Sequence, residues 1–399
     1  MNYDVIVVGA GPVGSHTACR LAELGYRTAV LERQPYVGHK LCCTGIIGRE
    51  CYEFYSLDPS CVVREAKSAR LFAPSGDYIR ISRDQTQAYI VDRPYLDRSL
   101  AERALEQGAE YQLSSKVVDI AVSSDGVSLA IAGENDSNNI QGKVAVIASG
   151  FASPLPQMLG LGKINHLISG AQTEVLSDII GETEVYFSHR TAPGFFAWAV
   201  PSSEDKVRVG LFAKKNPGVY LQKLINELTI EGKLKSSPKD ISYGGIPLKP
   251  LRRTYDERVL VVGDAAGQVK PTTGGGIYYG LLSADHAVDT INEAFTRNDF
   301  SKKQFARYQK RWKATLGREL MIDYYARGLY NRFSDKQLDA IFTIVRDNAI
   351  AEDLLDSSYR SFDWHGELVL DGLKRLTPWS HLFTRYLPAY FLRMLRSAR

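Results

Sequence analysis

The chain has 399 residues, of which 44% are hydrophobic and 24% charged, and its formal net charge is +4. This is the balance of an ordinary globular protein with room for two or three domains, and the net charge is too small to indicate a nucleic-acid partner. No apolar stretch reaches the roughly 20 residues of a membrane-spanning helix.

The first predicted elements form a βαβ unit. Residues 3–8 are a short β-branched run, typical of a strand buried on both faces. Residues 15–24 have helical spacing, with Gly25 as a stop, and residues 28–31 predict a second strand that ends at Glu32. This pattern predicts the start of a doubly wound parallel sheet.

The rest of the chain alternates between strand and helix patterns, and from residue 301 onwards it is predicted to be helical. The further predicted strands lie within residues 67–82, 116–122, 127–131, 144–148 and 259–262, and the helices within 94–106, 219–228 and 274–295.

The cysteines and the first apolar run bear on cellular location. The five cysteines have neither disulfide nor metal-site spacing: Cys19, Cys42, Cys43, Cys51 and Cys61. Residues 5–8 lead directly into a glycine loop, so we interpret them as structural and not as a signal peptide. The sequence therefore predicts a reducing, cytoplasmic location.

A glycine motif, Gly9-x-Gly11-x-x-Gly14, lies between the first predicted strand and helix. Gly9 permits a tight turn, Gly11 lets the backbone approach a pyrophosphate, and Gly14 allows close packing of helix and sheet. The helix N-terminus then stabilises the phosphate charge, and Glu32 is placed to accept hydrogen bonds from a ribose hydroxyl. Glu32 disfavours the alternative, a glycine turn without a ligand.

A second strand followed by a glycine turn occurs at residues 259–267, with Asp264 at the strand end where open α/β sheets bind ligands. This segment resembles the second FAD fingerprint of the flavoprotein superfamily that includes glutathione reductase and p-hydroxybenzoate hydroxylase. The resemblance implies that Asp264 hydrogen-bonds the ribityl chain of FAD. A third match, at residues 92–97, implies that Arg93 contacts the cofactor.

Three consecutive glycines precede Ile277 at the start of a predicted helix: Gly274, Gly275 and Gly276. Backbone N–H groups there would favour negative charge on the reduced flavin ring. The alternative is a flexible loop.

These matches predict an α/β protein with a discontinuous, Rossmann-like FAD-binding domain, an inserted mixed-sheet (α+β) substrate domain and a C-terminal helical module. The predicted bounds are 1–65, 93–150 and 246–297 for the FAD-binding domain, 66–92 and 151–245 for the substrate domain, and 298–399 for the helical module.

The residues that follow each glycine motif narrow the choice of protein family. Aromatic hydroxylases usually have a histidine where this chain has Gly267, and an asparagine near the start of the following helix. The chain instead resembles the geranylgeranyl reductase family over roughly residues 1 to 290. Cys43-Thr44-Gly45 matches that family's cysteine–glycine motif beside the flavin, and residues 196–201 match its aromatic-x-Trp-x-Phe-Pro motif.

The chain departs from that family's motifs at two places. Val200 replaces the usual phenylalanine, and the cysteine loop reads Cys-Cys-Thr-Gly where Cys-Gly-x-Gly is commoner. Because of these two departures, the motifs do not identify which prenyl compound is the substrate.

The resemblance implies an FAD-dependent enzyme that saturates isolated C=C bonds of a geranylgeranyl or polyprenyl chain by hydride transfer from reduced flavin. The chain would be part of a lipid, a quinone or a diphosphate. The alternative is a flavin-dependent monooxygenase or halogenase, against which Gly267 and the absence of a halogenase-type Trp-x-Trp-x-Ile-Pro motif argue.

The implied site residues fall into two groups. The cofactor-binding residues are Gly9, Gly11, Gly14, Glu32, Arg33, Cys43, Thr44, Gly45, Arg93, Val118, Asp264, Gly275, Gly276 and Ile277. Cys43 is also the catalytic candidate, as proton donor or substrate-positioning group, unless it is a structural cysteine. Phe196 and Trp198 face one side of a predicted strand and would wall an apolar tunnel, unless they are ordinary core aromatics.

Two partners beyond the prenyl substrate are considered. No second glycine motif for NAD(P)H is evident, so the electron donor is either NAD(P)H that docks transiently or a protein such as ferredoxin. Residues 372–399 combine basic residues and aromatics without an acid, which suits peripheral contact with the inner face of an anionic membrane. The alternative is a docked helix, because Pro378 and Pro388 interrupt any long amphipathic face.

Overall fold

The computed structural model describes residues 2–39, 42–132, 138–151, 153–236, 238, 240–355, 361–376 and 378–379. The chain divides into two compact, discontinuous units. The first unit comprises Met1–Leu41, Arg93–Leu167 and Ile246–Arg318, and the second comprises Cys42–Asp92, Ile168–Gly245 and Glu319–Arg399.

The first unit is built on a sheet whose central strands are parallel. In spatial order the strands are Tyr255–Asp256, Val259–Val261, Asn138–Ile147, Asn2–Val8, Thr28–Leu31 and Glu110–Gln112. All neighbours pair in parallel except the first two, which are antiparallel. An antiparallel hairpin, Val117–Val122 and Val127–Ile131, extends from the long strand Asn138–Ile147.

Both faces of this sheet are covered, which explains its continuous apolar strands. Alternate residues such as Ile6 and Val8 pack against the hairpin in one buried cluster. The neighbouring positions Val5 and Val7 are fully buried and face the other side. The helices of this unit are Pro12–Glu23, Arg93–Glu106, Leu155–Met158 and Ile277–Arg297, and the first of them packs against both Arg93–Glu106 and Ile277–Arg297.

The second unit contains a seven-stranded mixed sheet and a smaller three-stranded sheet. The order of the large sheet is Ser242–Pro247, Leu167–Leu176, Lys206–Ala213, Ala197–Pro201, Thr183–Tyr186, Ser68–Phe72 and Tyr78–Ser82. The small sheet has the order Ile46–Gly48, Ala88–Val91 and Val62–Ala66. Helix Pro217–Ile230 covers one face of the large sheet, packing its buried leucines against Ala197 and Ala199.

The remaining helices are Arg49–Phe54, Lys302–Tyr330, Asp335–Asp347, Ile350–Leu355 and Gly366–Arg375, with 3-10 turns at Pro59–Cys61 and Gly263–Ala266. Within the described residues no helix is long and apolar enough to span a bilayer.

The α/β fold with its Rossmann-like sheet is confirmed, and the unit boundaries differ from the predicted ones in three places. Residues 151–167, predicted in the substrate domain, group with the first unit. Residues 42–65 group with the second unit, because Ile46–Gly48 and Val62–Ala66 both hydrogen-bond to Ala88–Val91. Residues 298–399 do not form a unit of their own. Helix Lys302–Tyr330 contributes its first part to the first unit and its last part to the second.

Side chains of that long helix explain the division. In the first unit, the Tyr308 hydroxyl donates to the carbonyl of Val261 at 2.8 Å, and the Trp312 indole donates to the Thr254 hydroxyl at 2.9 Å. In the second unit, Ile322 and Leu329 pack with Leu370 in a separate apolar cluster.

Most of the predicted membrane-contact segment, residue 377 and residues 380–399, lies outside the described residues. Of its basic residues, Lys374 and Arg375 end the helix Gly366–Arg375 and form ion pairs with Asp371 and Asp353, respectively.

Candidate cofactor and substrate sites

The first glycine motif follows strand Asn2–Val8 at the point where the strand order reverses. The next strand in the chain, Thr28–Leu31, lies on one side of it, and Asn138–Ile147 lies on the other. Ligands of open α/β sheets bind at the carboxyl ends of strands at such a point.

The space around each of the three glycines shows which of them are required by packing and which one leaves room for a ligand. Gly9 has a φ of +106°, and an added Cβ would lie 2.5 Å from the carbonyl oxygen of Ala148. A Cβ on Gly14 would lie 1.9 Å from the carbonyl oxygen of Gly9. At Gly11 the φ is an ordinary −70°, and no atom lies within 4 Å of the Cβ position. Packing explains Gly9 and Gly14, whereas the open space at Gly11 fits the close approach of a pyrophosphate.

The helix behind this loop begins without a side-chain cap. Gly11 is the N-cap of Pro12–Glu23 and offers no side-chain acceptor to the first-turn N–H groups. Glu32 lies beside the loop, where its carboxylate accepts the N–H groups of Ala10 and Gln34, both at 2.8 Å. These bonds orient the carboxylate, and its remaining lone pairs fit ribose hydroxyl donors.

Two other predicted cofactor residues have less distinctive surroundings. Arg33 follows Glu32 and is exposed. The side chain of Val118 is 40% exposed and lies in the hairpin where the register shifts. Nothing else in the described structure distinguishes either position, so their roles stay predictions.

Arg93 begins the helix Arg93–Glu106 as a buried cation. Its guanidinium forms a forked interaction with Asp97, with Nη2 at 3.0 and 3.2 Å from the two carboxylate oxygens. Burial raises the pKa of Asp97 and the Arg93 charge opposes that rise. The same guanidinium acts on Asp264, which brings two predicted cofactor residues into one electrostatic environment.

Asp264 is the acid of the second glycine turn, Gly263–Ala266. No donor among the described residues reaches its carboxylate, and burial raises its pKa from 3.8 to about 6, an effect that Arg93 opposes. A Cβ on Gly276 would lie 2.6 Å from Oδ1, so the carboxylate faces the glycine run. A half-buried acceptor that has no donor among the described residues fits the hydroxyls of a ribityl chain.

The glycine run opens the helix Ile277–Arg297 without a side-chain cap, because Gly276 is its N-cap. Lys270, which belongs to none of the sequence motifs, is 3% exposed and lies beside this run, with its Cε 2.7 Å from the Cβ position of Gly275. A buried cation and a helix N-terminus at one loop both favour negative charge on a bound group. A lone lysine in a Thr/Pro/Gly loop has no sequence pattern that would have marked it.

In the second unit, Gln172 joins the cysteine loop to the predicted substrate aromatics. Its Nε2 donates to the carbonyl of Cys43 at 3.1 Å, while Oε1 accepts from the Thr44 hydroxyl at 3.0 Å and from the Trp198 indole at 3.3 Å. Arg208 adds a 2.8 Å hydrogen bond to the Thr44 carbonyl. Gln172 is 8% exposed and was not predicted, since one polar residue in a strand gives no signal.

The thiols around this loop are all free, so the Cys42–Cys43 pair forms no disulfide. The Gly45 N–H lies 3.4 Å from the Cys43 sulfur and donates to it. Burial raises the pKa of the neighbouring Cys42 to about 11, which keeps that thiol protonated at neutral pH.

Phe196 and Trp198 lie on one side of the strand that begins at Ala197, opposite helix Pro217–Ile230. Their ring centroids are 6.2 Å apart, and Phe212 contacts the Trp198 ring at 5.2 Å. Trp198 is 8% exposed, whereas Phe196 is half-buried. The structure thus gathers these aromatics into one apolar face next to the Cys43 loop.

Comparison with known proteins identifies the family. A model described as FAD dependent oxidoreductase matches residues 4–57. Digeranylgeranylglycerophospholipid reductase of Methanocaldococcus jannaschii is 32% identical over 351 residues, which cover 85% of this chain and 89% of the relative. The chain belongs to the digeranylgeranylglycerophospholipid reductase family. It is therefore an FAD-dependent oxidoreductase, and the glycine loops, Glu32 and Asp264 fit that cofactor.

A solved structure agrees with this family. A geranylgeranyl bacteriochlorophyll reductase-like protein from Thermoplasma acidophilum superposes with a TM-score of 0.84 at 25% identity, covering 94% of this chain and 97% of that protein.

Halogenases share the fold. A tryptophan halogenase model matches residues 55–331. The structure of a halogenase in complex with FAD superposes with a TM-score of 0.65 at 15% identity, covering 88% of this chain and 82% of that protein. At 15% identity this similarity shows only a shared fold. The type of reaction is inferred from the reductase relatives.

The contrast between two glycines gives a first prediction. Gly14→Ala should lower the free energy of unfolding by about 1–3 kcal/mol, because its Cβ collides with the Gly9 carbonyl. Gly11→Ala should cost less stability, about 0.5–1 kcal/mol, because alanine is a poorer N-cap than glycine, but it should raise the Kd for FAD at least about tenfold. Urea unfolding of the apoprotein and flavin fluorescence titration measure the two effects. Unchanged FAD affinity in Gly11→Ala would contradict the proposed pyrophosphate position.

The raised pKa of Asp264 gives a second prediction. A carboxyl whose pKa rises on folding favours the folded state below its unfolded value of 3.8, and that contribution is lost as the pH rises through about 6. At pH 7 the Asp264→Asn apoprotein should therefore be more stable than wild type, by roughly 1–3 kcal/mol, while binding FAD more weakly. Urea unfolding at pH 4 and pH 7 tests this, and a stability difference that is the same at both values would refute it.

Proposed function

We propose that this enzyme saturates isolated C=C bonds in the geranylgeranyl chains of a prenyl lipid. The observation that carries the proposal is the Gln172 junction, which holds the Cys43 loop against the Trp198 indole on an apolar, aromatic face. Its relative from Methanocaldococcus jannaschii is named for the reduction of a digeranylgeranyl phospholipid. A quinone or a prenyl diphosphate is the alternative carrier of the chain.

Two sets of residues would hold FAD in this proposal. Gly11 and the first turn of Pro12–Glu23 receive the pyrophosphate, and Glu32 binds the ribose of the adenosine. Asp264 accepts from the ribityl hydroxyls, with Arg93 nearby, and the glycine run before Ile277 faces the ring. When bound and reduced, FAD supplies the hydride for the alkene.

The chain's own residues supply binding and the proton. An isolated alkene offers no polar handle, so Phe196 and Trp198 hold it by apolar burial, at about 0.8 kcal/mol per CH₂. The Cys43 thiol donates its proton to the alkene carbon that does not receive the hydride, and the resulting thiolate regains a proton from water. Gln172 fixes the Cys43 carbonyl and so positions this loop relative to the indole.

Two further partners belong to this proposal. The electron donor is NAD(P)H that docks transiently or a protein such as ferredoxin. The segment 372–399 provides peripheral contact with the inner face of the membrane, from which a prenyl lipid must be taken. Its basic composition supports this assignment.

The reaction can be tested without oxygen. Enzyme reduced by dithionite under nitrogen and incubated with a digeranylgeranyl phospholipid should yield products heavier by one pair of hydrogens per saturated bond, as seen by mass spectrometry. A reaction that requires oxygen and inserts oxygen or halogen would instead place the chain with the halogenases that share its fold. Absence of hydrogenated product would refute the reductase proposal.

Cys43 is tested against its neighbour. Cys43→Ala should lower turnover at least about a hundredfold, because general acid catalysis is typically worth 10²–10⁴-fold, while the rate of flavin reduction by dithionite stays unchanged. Cys42→Ala is the matched control and should keep near wild-type turnover. Equal activity of the two variants would assign Cys43 a structural role.

A further inference from the structure

A half-buried cation in the second unit lies beside the loop that follows strand Thr183–Tyr186. Arg327, near the end of helix Lys302–Tyr330, donates from Nη2 to the carbonyl of Gly194 at 2.9 Å, and its guanidinium lies 5.1 Å from the centre of the Phe195 ring. The Asn331 amide, oriented so that its nitrogen donates to the same carbonyl, offers its oxygen to Nη1 at 3.3 Å. All of these partners are neutral.

The charge of Arg327 therefore has no counter-ion in the described part of the chain. Asp335, the acid at the start of the next helix, instead accepts from the His189 N–H and the Ser188 hydroxyl. Burial lowers the pKa of Arg327 to about 10, and its Nε–H is buried without an acceptor. A desolvated cation in this state is costly, and an anionic ligand would remove the cost.

A second donor without an acceptor lies next to it. His189 Nδ1 accepts the Gly194 N–H at 3.4 Å, so the proton of the neutral ring is on Nε2. That Nε2 is buried and has no acceptor among the described residues. Gly194 thus anchors both side chains, His189 through its N–H and Arg327 through its carbonyl, and each side chain retains one buried N–H to offer.

These two groups lie at the end of the aromatic face. From Trp198 the rings continue through Phe196 to Phe187 at 5.7 Å, then to Tyr330 at 6.1 Å, and the Tyr330 ring lies 4.9 Å from His189. The Tyr330 hydroxyl donates to the Phe195 carbonyl, which keeps this last ring in place. An amphipathic ligand with an apolar chain on the rings would present its polar end to Arg327 and His189.

We propose that Arg327 and His189 form an anion-binding site for the phosphate group of the prenyl substrate. This rests on the proposed function and deepens it, because it selects phosphate-bearing prenyl compounds over neutral ones such as a quinone. A forked guanidinium with a neutral imidazole donor suits phosphate oxygens, which accept several hydrogen bonds at once. The competing view is that Arg327 only fastens the Gly194 loop.

The test compares a charged and a neutral substrate of equal chain length. With the FAD-loaded enzyme in detergent, Arg327→Met should raise the KM for geranylgeranyl phosphate at least about tenfold, the usual size of a lost charged hydrogen bond. The KM for geranylgeraniol and both kcat values should stay near wild type. The KM of Arg327→Lys for geranylgeranyl phosphate should lie between those of wild type and Arg327→Met. His189→Phe should raise the KM for geranylgeranyl phosphate by a smaller factor and leave the KM for geranylgeraniol unchanged. Arg346→Met, which removes an exposed arginine paired with Asp77, is the control and should leave the KM for both substrates unchanged.

The outcomes separate this site from the reaction itself. Equal losses for both substrates, or none for the phosphate, would overturn the anion site. Turnover of neither substrate by wild type would overturn the proposed function, while a titration of the tryptophan fluorescence with geranylgeranyl phosphate would still report the anion site. If Arg327→Met does not fold, two other measurements decide whether the anion site exists. One is the KM of the Arg327→Lys variant. The other is the Tm of wild type, which should rise more with geranylgeranyl phosphate than with geranylgeraniol. Competition by inorganic phosphate in wild type that is weaker in Arg327→Lys supports the site and adds the free ion as a ligand. No competition supports the lipid headgroup alone.

Discussion

The parallel pairing of strand Asn138–Ile147 with a neighbour on each side determines where the cofactor residues meet. Val8 pairs with Ile147, and Ile147 pairs with Val261, so strands far apart in the chain end at one level of the sheet. The glycine turn after each outer strand therefore leaves the same edge. Val13 of the first motif then packs against Gly263 and Gly280, where any added Cβ would meet its methyl groups. This contact requires glycine at both positions and keeps the two motifs together.

Local patterns predicted the elements of this sheet well, because its strands are short apolar runs rich in β-branched residues and bounded by turns. The strands Thr28–Leu31 and Val127–Ile131 have the predicted bounds, and the first helix begins earlier than predicted, at Pro12, because proline suits the first helical position. The strand Ile46–Gly48 was not predicted. It is three residues long, and its partner Ala88–Val91 is remote in sequence, so only the tertiary structure makes it a strand.

The site was predictable only where a motif records it. Glycine spacing pointed to Gly9, Gly11 and Gly14, and family motifs pointed to Asp264 and the Cys43 loop. Gln172, Lys270 and Arg327 are single polar residues in a strand, a loop and a helix, and nothing in their local sequence separates them from surface residues. Their importance follows from burial and from partners on other elements, which a sequence without relatives does not reveal. An accessible ion pair would have been worth little, whereas a buried charge must be met by a partner or a ligand.

Gly267 shows how a family signal can have a purely structural cause. In the sequence, Gly267 argues against a hydroxylase, because that family usually has a histidine there. In the structure Gly267 has a φ of +79°, and an added Cβ would lie 2.7 Å from both the carbonyl oxygen of Lys249 and the Cα of Pro250. A histidine would therefore require the segment around Lys249 to move, whatever the reaction. The residue at this position is thus determined by the path of the neighbouring Lys249–Pro250 backbone. Whether the enzyme is a reductase or a halogenase depends instead on the residues that would contact the substrate.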